Sequence, residues 1–163
     1  MYKRQALGLG HAVLMARELV GNEPFAVLLA DDVIDAKVPC LKQMVEVFDQ
    51  TQCSVLATQI IEGKMISSYG VLDVKPADGR FGGRLYEIKN MVEKPKPEDA
   101  PSNLAIIGRY ILTPAIFDCL ATVSYTHLDV YKRQVFVSPA SLPRQKPCCW
   151  CCFSAPPDAR SSF

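Results

Sequence analysis

Apolar and polar positions follow two rhythms along this chain. Phe25-Ala26-Val27-Leu28-Leu29-Ala30 is an unbroken apolar run of strand length, the pattern of a strand covered on both faces. Residues 39–50 then carry Leu41, Met44, Val45 and Phe48 at helical spacing, with Pro39 suited to a first helical turn. Upstream, residues 10–20 read as a mostly apolar helix stopped by Gly21-Asn22. Downstream, residues 53–58 and 69–74 read as strands. Residues 84–92 alternate, with Tyr86, Ile88 and Val92 on one face and Glu87 and Lys89 on the other. Residues 104–112 are strand-like again, and Thr113 can cap a short helix that opens at Pro114 and buries Phe117 and Leu120.

This β/α alternation predicts an α/β domain, a mostly parallel sheet with helices on its faces. Several strand candidates follow Cys53 with no helix between them, which predicts a β-rich insertion or subdomain. The loops at 76–83 and 95–101 are rich in Pro, Gly and charge. After Val123 the pattern stops. Residues 124–134 show no usable periodicity, and 135–163 mix Ser, Pro, Arg and Cys with neither a helix pattern nor a convincing strand, so no core is expected there. Tyr131-Lys132-Arg133-Gln134 repeats Tyr2-Lys3-Arg4-Gln5 letter for letter. Four residues are too few for a structural repeat, which needs roughly 20 or more. The tract 124–134 resembles an assembly artefact in translated sequence. Residues 1–5 and 124–163 therefore read as non-native or disordered, and 6–123 as one partial domain.

Composition changes little in this picture. The 163 residues suffice for one domain with a core, and a net charge of +1 offers no electrostatic case for a nucleic-acid or acidic-membrane partner. No apolar run approaches the roughly 20 residues that span a bilayer. The basic start lacks a secretory cleavage site, so a soluble cytoplasmic protein is expected. Among the seven cysteines, Cys40, Cys53 and Cys119 are isolated in apolar segments, where a thiol behaves as a small hydrophobe. Cys148, Cys149, Cys151 and Cys152 crowd around Trp150. Zinc sites usually set their ligands in two separate pairs, so one crowded cluster fits zinc poorly.

Three clusters can carry chemistry. Gly8-Leu9-Gly10-His11-Ala12 opens a helix, where glycine lets backbone approach a flat base or a phosphate. By itself it reads equally as a plain turn. Asp31-Asp32 follows the apolar strand. In open α/β sheets ligands gather at carboxyl ends of strands, and a carboxylate there can share Mg²⁺ with substrate phosphates. Acids at strand ends also simply end strands or cap helices. Glu93-Lys94-Pro95 offers a compact positive charge for a phosphate and an acceptor for sugar hydroxyls, or else an exposed ion pair before a Pro-rich loop.

Taken together and in order, these clusters resemble the sugar nucleotidyltransferase family, and within it the bacterial UTP–glucose-1-phosphate uridylyltransferases. The matching text is Gly8-Leu9-Gly10-His11-Ala12-Val13, Pro24 through Asp32, Tyr69-Gly70-Val71, Val92-Glu93-Lys94-Pro95, and Ala100-Pro101-Ser102-Asn103-Leu104-Ala105-Ile106-Ile107-Gly108-Arg109-Tyr110. The resemblance implies a Rossmann-like, glycosyltransferase-A-like sheet, here incomplete, with a β-rich sugar-binding part. It implies uridylyl transfer from UTP to glucose 1-phosphate, giving UDP-glucose and pyrophosphate with Mg²⁺ as cofactor. It also implies a homo-oligomeric full-length parent. By the same resemblance Gly8 and Gly10 bind the nucleotide, with Gly8 against the uracil. Asp31 is a Mg²⁺ ligand and catalytic. Tyr69, Gly70 and Glu93 bind the sugar, and Lys94 contacts the sugar phosphate as a catalytic group.

The family also has an opening glycine-rich loop with an arginine and a following lysine, a uracil-reading glutamine and a second metal-binding aspartate. None has a counterpart here; the glutamine's place holds Lys3. The chain as written is thus expected to lack turnover and to be poorly soluble. Two other readings share its features: a related nucleotidyltransferase with another nucleotide or sugar phosphate, and a non-catalytic sugar-nucleotide binder.

Overall fold

The computed structural model describes residues 8–31, 33–77, 79–122, 150–154 and 160–162. The first predicted helix forms in two pieces, α1 (Leu9–Met15) and α2 (Arg17–Val20), broken at Ala16. There the Ala16 N–H turns back to the Val13 carbonyl at 3.0 Å, a tighter i→i−3 bond. Gly21 ends α2 at φ 66°, a conformation that favours glycine. Strands β1 (Phe25–Leu28) and β2 (Val33–Asp35) follow. Helix α3 (Cys40–Thr51) starts one residue after Pro39 and stops at Gln52, held in the left-handed region at φ 53°.

The stretch read as β-rich is so. Strands β3 (Ser54–Ile60), β4 (Gly70–Pro76), β5 (Leu85–Glu93) and β6 (Leu104–Leu112) are joined by short 3₁₀ turns and loops. Helix α4 (Ala115–Thr122) closes this part, and β7 (Trp150–Ser154) and β8 (Arg160–Ser162) come from the cysteine-rich tail. The hydroxyl of Thr113, expected to cap α4, lies 3.3 Å from that of Ser54.

The large sheet runs β1-β6-β3-β7-β5-β4, with β4 also meeting β6; β2 and β8 form a separate pair. Its pairings correct the expectation of a mostly parallel sheet. Among the described residues only β3–β7 is parallel, while β1–β6, β3–β6, β4–β5, β4–β6 and β5–β7 are antiparallel. Parallel neighbours need a crossover, usually a helix, and no α-helix lies between β3 and β6. The tail also departs from expectation at two places. Trp150–Ser154 forms a strand between β3 and β5, and Arg160–Ser162 pairs with β2. The rest of that expectation, with residues 1–7, lies outside the described residues.

Both faces of the sheet are covered. On one, Met44 and Val47 of α3 pack with Val55, Ala57, Leu85, Ile107 and Ile111. On the other, Leu56, Leu72, Ile106, Tyr110 and Leu112 meet Val13 of α1 and Ile116 of α4. Phe117 of α4 is fully buried and stacks on Phe25, ring centroids 5.1 Å apart. Strand β1 is covered less than its apolar run predicts: it alternates half-buried and exposed residues, and Leu28 is 53% exposed. In β5 one extra residue falls opposite the step from Asp73 to Val74. That bulge shifts the alternation, so Met91, and not Val92, joins Tyr86 and Ile88 against the second core.

Candidate functional site

Strand β6 is the scaffold of the site. At its start the Ser102 hydroxyl donates to the Leu72 carbonyl at 2.6 Å and accepts from the Leu104 N–H at 3.0 Å, tying β6 to β4. Its register against β3 advances from Tyr110 to Ile106 while β3 advances only from Leu56 to Thr58. The surplus residues form a bulge around Gly108, whose φ of 63° favours glycine. A Cβ at Gly108 would stand 3.0 Å from that of Leu29, so the two backbones approach closely.

The sheet forks at this bulge. Ala105 pairs with Gln59 of β3 and with Val71 of β4, so β4 lies on the edge of β6 opposite β3. Ile111 pairs with Val55 of β3 and Ala26 of β1, so β1 lies on that same opposite edge. Strand β1 runs antiparallel to β6 and ends toward β4. The Leu29 N–H donates to the Gly108 carbonyl at 2.9 Å, three residues from Ala105. At strand rise those points are roughly 10 Å apart. The end of β1 and the start of β4 thus lie along one edge of β6, and Asp31 is exposed on the turn that follows β1.

On that edge the β4–β5 pair carries Gly70 and Glu93, with Tyr69 and Lys94 directly beside them. Gly70 pairs with Glu93 in the ladder. A Cβ on Gly70 would stand 3.1 Å from Oε2 of Glu93, with Ile106 and Met91 at 3.5 Å. The Glu93 carboxylate therefore lies over bare backbone, on the face where Ile106 and Met91 join the second core. Among the described residues Lys94 is one of three non-glycines with positive φ, at 48°, and its N–H donates to the Tyr69 carbonyl at 3.0 Å. Pro95 behind it is buried. A lysine before proline is held in a conformation its Cβ resists, costing about 1–2 kcal/mol, and strain of this kind concentrates at ligand clamps.

The two glycines of the first cluster separate. Gly8 precedes α1 at φ 87° with open space where a Cβ would stand. Gly10 faces α4, where a Cβ would meet Leu120 at 3.2 Å, so its lack of a side chain serves helix packing. Val13 seats α1 on the sheet face that also holds Gly70. Asp32 lies outside the described residues.

Sequence reasoning quoted Arg109 within a motif and gave it no role. Its Nη1 donates to the Leu29 carbonyl at 2.6 Å and to the Gly108 carbonyl at 3.1 Å. The guanidinium also acts on Cys40 at the start of α3: burial pushes that thiol up, and the nearby positive charge opposes the shift. A lone arginine in a strand pattern carries no signal of its own in sequence. Its neighbour Gly108 does, since glycine inside a strand marks a bulge or a close backbone approach.

A family model described as nucleotidyl transferase matches residues 1–135. The chain belongs to the nucleotidyl transferase family. Among its relatives, this nucleotidyl transferase is 48% identical to the UTP–glucose-1-phosphate uridylyltransferase of Staphylococcus haemolyticus over 120 residues. That match takes in 74% of this chain and 40% of the relative, so the chain spans well under half the length of such proteins. A UDP-glucose pyrophosphorylase solved with UDP-glucose is 50% identical, with a TM-score of 0.66 over 72% of this chain and 44% of that one. The pyrophosphorylase of Acinetobacter baumannii is 27% identical, with a TM-score of 0.77 over 97% of this chain and 52% of that one. The α/β nucleotidyltransferase fold and the resemblance to the uridylyl branch are thereby established.

Nucleotidyltransferases of this kind generally use a divalent metal. Among the described residues no group of three or more His, Cys, Asp or Glu could cage an ion. A single exposed carboxylate such as Asp31 suits an ion that arrives with phosphates and keeps its waters. Among the described residues, no helix is long and apolar enough to cross a membrane.

Proposed function

We propose that this chain is the part of a UTP–glucose-1-phosphate uridylyltransferase that holds the sugar phosphate and one side of the metal-bound nucleotide. In the reaction a phosphate oxygen of glucose 1-phosphate attacks the α-phosphorus of UTP, and pyrophosphate leaves. The sugar phosphate brings its own nucleophile, so the protein contributes position and charge. Lys94 neutralises and orients the attacking phosphate. Glu93 and the backbone at Tyr69-Gly70 hold the hexose hydroxyls, and Gly8 lies against the base. Asp31 would hold Mg²⁺, which would supply positive charge to offset that of the nucleotide phosphates.

The observation that supports this reading is the fork at β6, where β1 and β4 share one edge, so that β1 ends toward the strand pair that bears Glu93. The domain is taken as residues 6–123, and the whole protein as a cytoplasmic homo-oligomer acting on UTP and glucose 1-phosphate. The test splices residues 8–122 into the Staphylococcus haemolyticus relative in place of its matching segment. The chimera should release pyrophosphate with UTP and glucose 1-phosphate, much faster than with dTTP, and D31N or K94A should lower that rate by about 100-fold or more. Equal rates with dTTP would move the chain to another branch. Indifference to both substitutions would end the assignment of these residues.

A further inference from the structure

We infer that Arg109 is a positioning residue that fixes the acid-bearing turn after β1, an inference that rests on the reading of Asp31 given above. Strand β1 ends at Leu28, yet the backbone of Leu29 is held on both sides by β6. Its N–H donates to the Gly108 carbonyl at 2.9 Å, and its carbonyl accepts from Arg109 Nη1 at 2.6 Å. The same Nη1 reaches the Gly108 carbonyl at 3.1 Å, so one guanidinium nitrogen staples two backbones. Gly108 makes this possible by its left-handed conformation and by the space that a Cβ would take from Leu29.

A carboxylate on a free turn would sweep a wide arc and bind an ion weakly. Anchoring the chain two residues before Asp31 narrows that arc. Groups that orient a metal ligand through a hydrogen bond typically govern affinity by about 10-fold to 100-fold. Arg109 touches no reacting atom in this account. It acts through the Leu29 carbonyl, and its charge-assisted bond is stronger than a neutral one.

The test is calorimetry of UDP-glucose binding to the chimera described above, with and without Mg²⁺, for the unvaried protein and the D31N, R109M and R109K variants. Thermal melts confirm that each is folded. The unvaried chain should bind more tightly with Mg²⁺, and D31N should lose that gain. R109M should lose about tenfold of the Mg²⁺-dependent gain, and R109K, which keeps a donor near Leu29, should retain more of it. If D31N loses the gain while R109M keeps it, the inference falls and the site reading stands. R109M lowering both affinities alike would show a merely structural role and overturn the inference, as would R109K as impaired as R109M. A chain with no Mg²⁺-dependent gain, or one indifferent to D31N, would sink the site reading and leave Arg109 no acid to position.

Discussion

At Lys94 the backbone and the side chain make opposing demands. The long charged side chain is carried on a backbone at φ 48°, fastened by the Tyr69 carbonyl and backed by buried Pro95. K94A and K94G both remove the amine, but only glycine relaxes the backbone. K94G should therefore be about 1 kcal/mol more stable than K94A in urea titrations. Both should weaken UDP-glucose binding by about tenfold or more, the scale of a lost charge-assisted hydrogen bond. Equal stability of the two variants would mean that Lys94 is unstrained in solution. That Glu-Lys-Pro closes an alternating run was legible in the sequence. The left-handed φ of Lys94 was not, because nothing in the letters distinguishes a strained lysine from an ordinary one.

Among elements, β6 concentrates most of the dependence. It carries the bulge at Gly108, the Ser102 tie to β4 and the pairing with β1. G108A would force a Cβ into a left-handed backbone and to within 3.0 Å of Leu29. It should cost about 2–4 kcal/mol in chemical unfolding, strain and overpacking together. A cost near zero would mean that β1 does not depend on the bulge. The bounds of β6 agree with the sequence reading because apolar residues fill both of its ends, on either side of Gly108 and Arg109. Strand β1 was read as longer and more deeply covered than it is. Its continuous apolar run fits a central parallel strand as well as an edge strand, and only pairing separates them. The phase slip in β5 is invisible for a similar reason, since a bulge changes which face a residue takes without changing the residues themselves.

For the whole molecule, the α/β class follows from the alternation of runs, whereas the pairing directions do not. Strand direction depends on which segments meet, and the pairing of β1 with β6 and the return of β4 to β6 are long-range choices that local patterning does not encode. The tail shows the same limit: Trp150–Ser154 takes a place in the sheet from a stretch with no usable period. What the fold contributes is the shared edge of β6, along which segments distant in sequence meet. The most direct test is a UDP-glucose titration in the presence of Mg²⁺, followed by amide resonances in solution. The account predicts that residues 29–31 and residues 69, 70, 93 and 94 shift together with one common dissociation constant. Shifts confined to one of these groups, or two groups following different constants, would contradict a single cleft.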